Sequence, residues 1–240
     1  APFADSSALP SHYLSRQTRA PVKVALTGDG GDELFGGYER YRAMLLSERW
    51  KKYARPLSGI GSSRWANRFA SNHPKSRSFR ARRLLRSMDL PPARRYDSYM
   101  RLFDDSTVDA LLPVEDARTS ANWLSDEFTA MATDRDCAAA AAAVDRVTYL
   151  PDDLLTKVDR ASMLHALEVR SPFMDPMLVH FAANLSSDQM FDGKRGKRLL
   201  REAFANDLPG GVFRRKKMGF AVPIGDWLRN DLRGLLRDLL

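Results

Sequence analysis

With 240 residues, 44% hydrophobic and 10% aromatic side chains, the chain holds enough apolar surface for a sizeable core, which excludes wholesale disorder. No run approaches the roughly 20 apolar residues that cross a bilayer, no basic-then-apolar leader opens the chain, and the single cysteine, Cys137, excludes an internal disulfide, so a cytosolic setting is the default expectation. The net charge of +8 is concentrated in residues 75–95, where eight basic side chains accompany one acid, Asp89; Phe79 and Tyr96 are too few for a base-stacking platform, so this block reads as a solvated helix face or loop and nucleic acid is not the expected partner.

In chain order, residues 1–21 read as a loop and a short helix, with Pro10 suited to its first turn and Tyr13 and Leu14 behind it. The apolar run from Val22 predicts a buried strand over 22–27. It ends in TGDGGDELFGGY, residues 27–38, a glycine-rich turn carrying Asp29 and Asp32. Leu34, Tyr38 and Tyr41 follow at helical spacing, so the acids sit at a helix N-terminus, and the helix runs on toward Trp50. From 56 to 118, Pro, Ser and Arg predict short helices peripheral to any chemistry.

Leu124, Phe128 and Met131 mark a further helix, and the alanines at 138–143 give the strongest helix propensity in the chain, with Cys137 as a small packing residue beside them. Pro151 is expected to stop one helix and start the next. Over 152–167, Leu154, Leu155, Val158, Ala161 and Leu164 form an apolar stripe, with Asp152, Asp153, Lys157, Asp159 and Arg160 on the other faces. Glu168 and Arg170 read as a buried ion pair turning the chain into Pro172. Leu199, Leu200, Ala203 and Phe204 define an amphipathic helix closed by Pro209-Gly210-Gly211, and the chain is helical again from Ile224. His12, His73, His165 and His180 lack zinc spacing. The fold expected is α/β: one mostly helical domain around a small parallel sheet.

A strand ending in glycines and carboxylates is where nucleotide chemistry sits in open α/β sheets: backbone N–H groups can approach a polyphosphate, and an aspartate can hold a Mg²⁺ that bridges its oxygens. An ordinary turn with a helix cap explains the same residues without a ligand. Arg214 to Lys217 on their own are a basic run of the kind that is usually solvated.

Three blocks shift that balance: PFADSSALPSHYLSR with VKVALTGDGGDELFGGYERY, then YLPDDLLTKVDRASMLHALEVRSPFMD, then KRLLREAFANDLP with FRRKKMGFAVPIGDWL. In wording and order they resemble the synthetase domain of glutamine-dependent asparagine synthetases. The resemblance implies a fold of the adenine-nucleotide α-hydrolase type, with ATP and Mg²⁺ used to adenylate a carboxylate, aspartate's first, before ammonia displaces AMP. Asp32 matches the Mg²⁺ ligand, and Gly28, Gly30 and Gly31 line the nucleotide's approach. Asp29 matches the position that handles the acyl-adenylate and the incoming amine, with helix capping as its plain alternative. Lys217, before x-Gly-Phe, matches the cation that stabilises adenylation and pyrophosphate. Asp153 is the chosen acid of the third block, with Asp152 and Asp159 still in contention and capping the plainer role for Asp152. Ser6 and Ser7 resemble a segment beside the substrate pocket and fit equally as turn residues.

The family's Ser-Gly-Gly-x-Asp-Ser pyrophosphate loop and its glutaminase half are absent from these residues. The chain therefore reads as a fragment that is incomplete as a catalyst, whose glutaminase partner lies in the same full-length protein and for which a homodimer stays open. The alternatives are a related amide- or lactam-forming ligase acting on another carboxylate, and a nucleic-acid or partner-binding module built on residues 75–95.

Overall fold

The computed structural model describes residues 5–62, 77–103, 105–111, 122–193, 195–215 and 222–239. Lys217 lies outside the described residues. In chain order the elements are α1 (Ala8–Arg19), β1 (Val24–Leu26), α2 (Gly31–Phe35), α3 (Glu39–Ser62), α4 (Arg77–Ser87), α5 (Pro92–Met100), α6 (Asp105–Leu111), α7 (Trp123–Met131) and α8 (Cys137–Val147). A π-helical turn (Leu150–Leu155) follows, then α9 (Thr156–Met163), β2 (Glu168–Arg170), a 3₁₀ turn (Pro172–Met174), α10 (Pro176–Ala183), α11 (Ser187–Met190), α12 (Arg198–Ala203), α13 (Gly210–Arg214), α14 (Ile224–Arg229) and α15 (Arg233–Leu239). The chain is mostly helical with a small parallel sheet. Among the described residues, no helix is long and apolar enough to cross a membrane.

These elements fall into two compact units, the first built from residues 1–30, 148–178 and 204–240 and the second from 31–147 and 179–203.

In the first unit, β1 and β2 pair in parallel, with Val24 opposite Glu168, Ala25 opposite Val169 and Leu26 opposite Arg170. The strand is shorter than the apolar run suggested and is not buried: Leu26 is 72% exposed, and Val24 is exposed beside it. Each strand has a single hydrogen-bonded neighbour in this two-stranded sheet, whereas parallel strands usually run fully covered. Glu168 and Arg170 do pair, at 2.7 Å, but as i, i+2 neighbours on one exposed strand face and not as a buried turn.

As expected, one helix ends before Pro151 and the next starts with it: α8 stops at Val147, and the proline lies in the first turn of the π-helical segment, where a missing N–H costs little; the segment feeds directly into α9. The extra residue rotates everything downstream relative to a 3.6-residue count. The apolar stripe therefore does not stay inward: Ala161 is buried but Leu164 is 73% exposed, while Lys157, read from the sequence as outward, is only 7% exposed.

In the second unit, Gly36 adopts φ +73 and separates α2 from α3, so the single helix expected through Tyr41 is two. A β-carbon at Gly36 would also lie 2.8 Å from Met190 Cβ. The alanine tract behaves as predicted: residues 138–144 of α8 are all buried, and α3, α7 and α2 pack against this small-residue face. Leu124 and Phe128 of α7 are buried as well.

One polar residue stands in this packing. Asp145 on α8 is fully buried and accepts hydrogen bonds from Tyr41 Oη, from Tyr96 Oη at 2.5 Å, and from Arg40 Nε and Nη2 at 2.9 and 2.5 Å. Burial alone would lower the Arg40 guanidinium; Asp145 more than reverses that and raises it. Burial, then the Asp145 charge, push the Tyr41 phenol well above its ordinary value, so Tyr41 stays protonated as a donor.

Residues 77–103 contribute to this core. Arg95 is fully buried, donates to the carbonyls of Ser87, Met88 and Leu90, and pairs with Glu48 at 2.6 Å, closing the C-terminal end of α4 against α3.

Removing one partner of a buried charge network leaves the rest uncompensated. Asp145→Ala is expected to lower the unfolding free energy by about 3–5 kcal/mol in urea denaturation. A loss below about 1 kcal/mol would show that Arg40 and the two tyrosines do not depend on this acid.

Candidate active site

The neighbouring acids of the glycine segment part company in the second unit. Asp32, in the first turn of α2, is partly buried and pairs through Oδ1 with Lys197 Nζ at 2.7 Å. Glu33, one residue on, turns inward, is 1% exposed and accepts the Tyr38 hydroxyl at 2.5 Å. Burial, reinforced by the charges of Asp32 and Asp145, raises the Glu33 carboxyl above its ordinary value despite that hydrogen bond. Gly37 makes room for the pair: a β-carbon there would fall 1.8 Å from Asp32 Oδ1 and 2.7 Å from Lys197 Cε. Asp32 is thus an oxygen donor in a cradle that a side chain would fill.

That donor set fits a hard divalent cation. Mg²⁺ commonly takes one or two carboxylates and completes its shell with water and phosphate oxygens. Among the described residues no group of three or more His, Cys, Asp or Glu side chains gathers into a protein cage. Asp32 would hold the ion by one carboxylate, and the rest of the shell would come from elsewhere. Gly31 opens α2 beside it.

In the first unit the glycine turn leaves β1. Gly28 is exposed with open space around it, Asp29 is half-buried, and Gly30 is buried with φ +85. A β-carbon at Gly30 would meet Met174 Cε at 2.1 Å, the end of a flexible side chain that can give way, so it is the left-handed φ that calls for glycine here. Ser171, just after β2, donates its hydroxyl to the Asp29 carbonyl at 2.6 Å and ties the turn to the end of the neighbouring strand.

The same unit holds Asp153, in the π-helical turn and one helical turn before Lys157. Lys157 Nζ donates to Asp5 Oδ2 at 2.6 Å and to Ser7 Oγ at 2.8 Å. Ser7 in turn donates its N–H and hydroxyl to the Asp5 carboxylate. Burial and the Asp5 charge raise the Asp153 carboxyl, with Lys157 opposing them. For Asp5, burial pushes upward, but the hydrogen bonds from Lys157 and Ser7 outweigh it and hold the carboxyl below its ordinary value. Asp152 makes no helix cap, and Asp159 is exposed.

Asp5, Lys157 and Lys197 were not singled out by the sequence. Lys157 stood at i+4 from Asp153, which was a usable signal, but the helical stripe assigned it outward. Lys197 sat within the basic residues of KRGKR, where only the preceding glycine hinted at a close approach.

A parallel strand pair among helices is an α/β arrangement. The chain belongs to the asparagine synthase family, whose model matches residues 1–240. It is 30% identical over 239 residues to glutamine-hydrolysing asparagine synthetase 1 of Bacillus subtilis (strain 168), covering 100% of this chain and 37% of that protein. It is 27% identical over 213 residues to glutamine-hydrolysing asparagine synthetase 3 of the same organism, covering 89% of this chain and 28% of that protein. The chain thus spans about a third of the length of the curated relatives it matches. No solved structure matches it.

The depressed Asp5 carboxyl sets a pH signature. Its stabilisation is complete above the ordinary carboxylate value of 3.8 and is lost as pH falls through the lower folded value. Asp5→Asn should therefore cost about 1 kcal/mol at pH 7 and progressively less below about pH 4, measured as urea unfolding across pH. A difference from wild type that does not change with pH would contradict the Lys157–Asp5 assignment.

Proposed function

We propose that, in the full-length protein, this chain is the amide-forming part of an ATP-dependent ligase with a fold of the adenine-nucleotide α-hydrolase type. The carboxylate it activates is first of all the side chain of aspartate. A carboxylate oxygen attacks the α-phosphorus of ATP and pyrophosphate leaves; ammonia, drawn from glutamine by a glutaminase domain of the same protein, then attacks the acyl carbon and AMP leaves. A bound Mg²⁺ would neutralise phosphate charge during the first displacement.

The observation that carries this reading is the family match along the whole chain, with Asp32 set at the start of a helix in a glycine cradle. Asp32 is assigned to the metal, and Gly28, Gly30 and Gly31 to the approach of the nucleotide. Asp29 handles the acyl-adenylate and the amine. Lys217 supplies positive charge to the pyrophosphate as it departs. Asp153, with its raised carboxyl, is suited to exchanging a proton with the incoming amine. A cytoplasmic site of action accords with ATP and glutamine as substrates. Another carboxylate in place of aspartate is the alternative within the same chemistry. A nucleic-acid surface on residues 75–95 is disfavoured, because Arg83 donates to the Ser98 and Arg101 carbonyls and Arg95 is wholly internal.

In the full-length protein, Asp32→Ala and Lys217→Ala are each expected to reduce aspartate-dependent pyrophosphate release by about 10²-fold or more, with circular dichroism unchanged. Wild-type rates in both variants would overturn the residue assignments, and faster release with a different acid would replace aspartate as the substrate.

A further inference from the structure

We propose that Lys197 is a positioning residue whose ammonium guards the Asp32 carboxylate, so that a divalent cation binds there only by displacing it. The inference rests on the reading of Asp32 as the cation-holding acid.

The approach of the two side chains is built by the backbone on both sides. Lys197 is a non-glycine residue at φ +57, a left-handed conformation that its β-carbon disfavours. Its N–H donates to the Phe35 carbonyl at 3.0 Å, fastening it to the C-terminal end of α2, whose first turn carries Asp32. Gly196 before it lies so close to the α2–α3 turn that a β-carbon would stand 2.0 Å from the Gly36 carbonyl oxygen, while Gly37 leaves the space in which Lys197 Cε and Asp32 meet. Arg201, one turn into α12, donates to the Gly196 carbonyl at 3.0 Å and pairs with Asp192 at 2.7 Å, so the loop that presents Lys197 is clamped from behind.

All this serves an ion pair that is 37% exposed on the lysine side and 23% on the aspartate side. Pairs at that exposure contribute little to stability, so a strained backbone and close-approach glycines are out of proportion to a purely structural role. The same partial exposure lets the ammonium swing off its long stem. Arg198 and Arg201 next to it are engaged by Glu202 and Asp192, which leaves Lys197 directed at Asp32.

A cation arriving alone must compete with a charge already in place, and binds weakly. One arriving with a polyphosphate brings negative charge that receives the displaced ammonium. Lys197 would thereby favour the metal–nucleotide complex over the free metal.

The test is Mn²⁺ binding to the full-length protein without nucleotide, followed by electron paramagnetic resonance, in wild type, Asp32→Asn, Lys197→Met and Lys197→Gly. Lys197→Gly removes the ammonium and also relieves the left-handed strain, so it covers any folding loss in Lys197→Met. Loss of binding in Asp32→Asn together with binding about fivefold or more tighter in the Lys197 variants is expected, since a unit charge about 4 Å away matters even under water-like screening. Unchanged or weaker binding in both Lys197 variants, with Asp32→Asn still losing the ion, overturns the guarding role alone. Wild-type binding in Asp32→Asn overturns the assignment of Asp32 itself, and the guarding role with it.

Discussion

A carboxylate sealed from water organises the larger compact unit. Asp145 is carried by α8, the helix whose alanines let its neighbours come closest, and the tight packing that this permits is what excludes solvent from the acid. An isolated charge in such a place costs several kcal/mol, so the neighbouring helices are obliged to supply donors: Arg40 and Tyr41 from α3, Tyr96 from α5. Small residues and a buried charge thus act together. The alanines fix how near the helices lie, and the acid fixes which side chains face inward and in what register.

The Asp32–Glu33 pair applies the same logic at the edge of that core. Two acids adjacent on a helix point about 100° apart. Glu33 goes inward, where the Tyr38 hydroxyl meets it, and this pins the rotation of α2. Asp32 is then obliged to face the loop ending in Lys197. The partly buried acid, the one proposed to meet a ligand, owes its direction to the fully buried one.

Much of this was legible beforehand. Leu124 and Phe128 sat at helical spacing and are buried; the alanine tract is a helix; Val24 to Leu26 is a strand that ends in the acid-bearing turn. That Arg95 and Tyr96 are buried was not legible, because both carry polar groups and only three-dimensional neighbours reveal that those groups are satisfied. The single long helix through Tyr41 failed at Gly36, whose left-handed φ of +73 turns the chain where local periodicity does not register it. For the site, glycines and acids announced Asp32 and Asp29, whereas Lys197 and the Asp5–Lys157 pair come from chain segments far apart in sequence, for which a single sequence holds no pairing information.

The π-helical turn at Leu150–Leu155 bears on how the two aspartates within it should be compared with those of relatives. A turn of this kind can pass to an ordinary α-turn by losing one residue while the helix after it keeps its face. Natural length differences of one residue can therefore be absorbed at this point without disturbing Lys157 or Ala161. Between two proteins that differ by one residue here, a matching that holds the spacing rigid offsets these acids by one position. Equivalence among these acids is properly counted backward from the buried lysine, not forward from the proline.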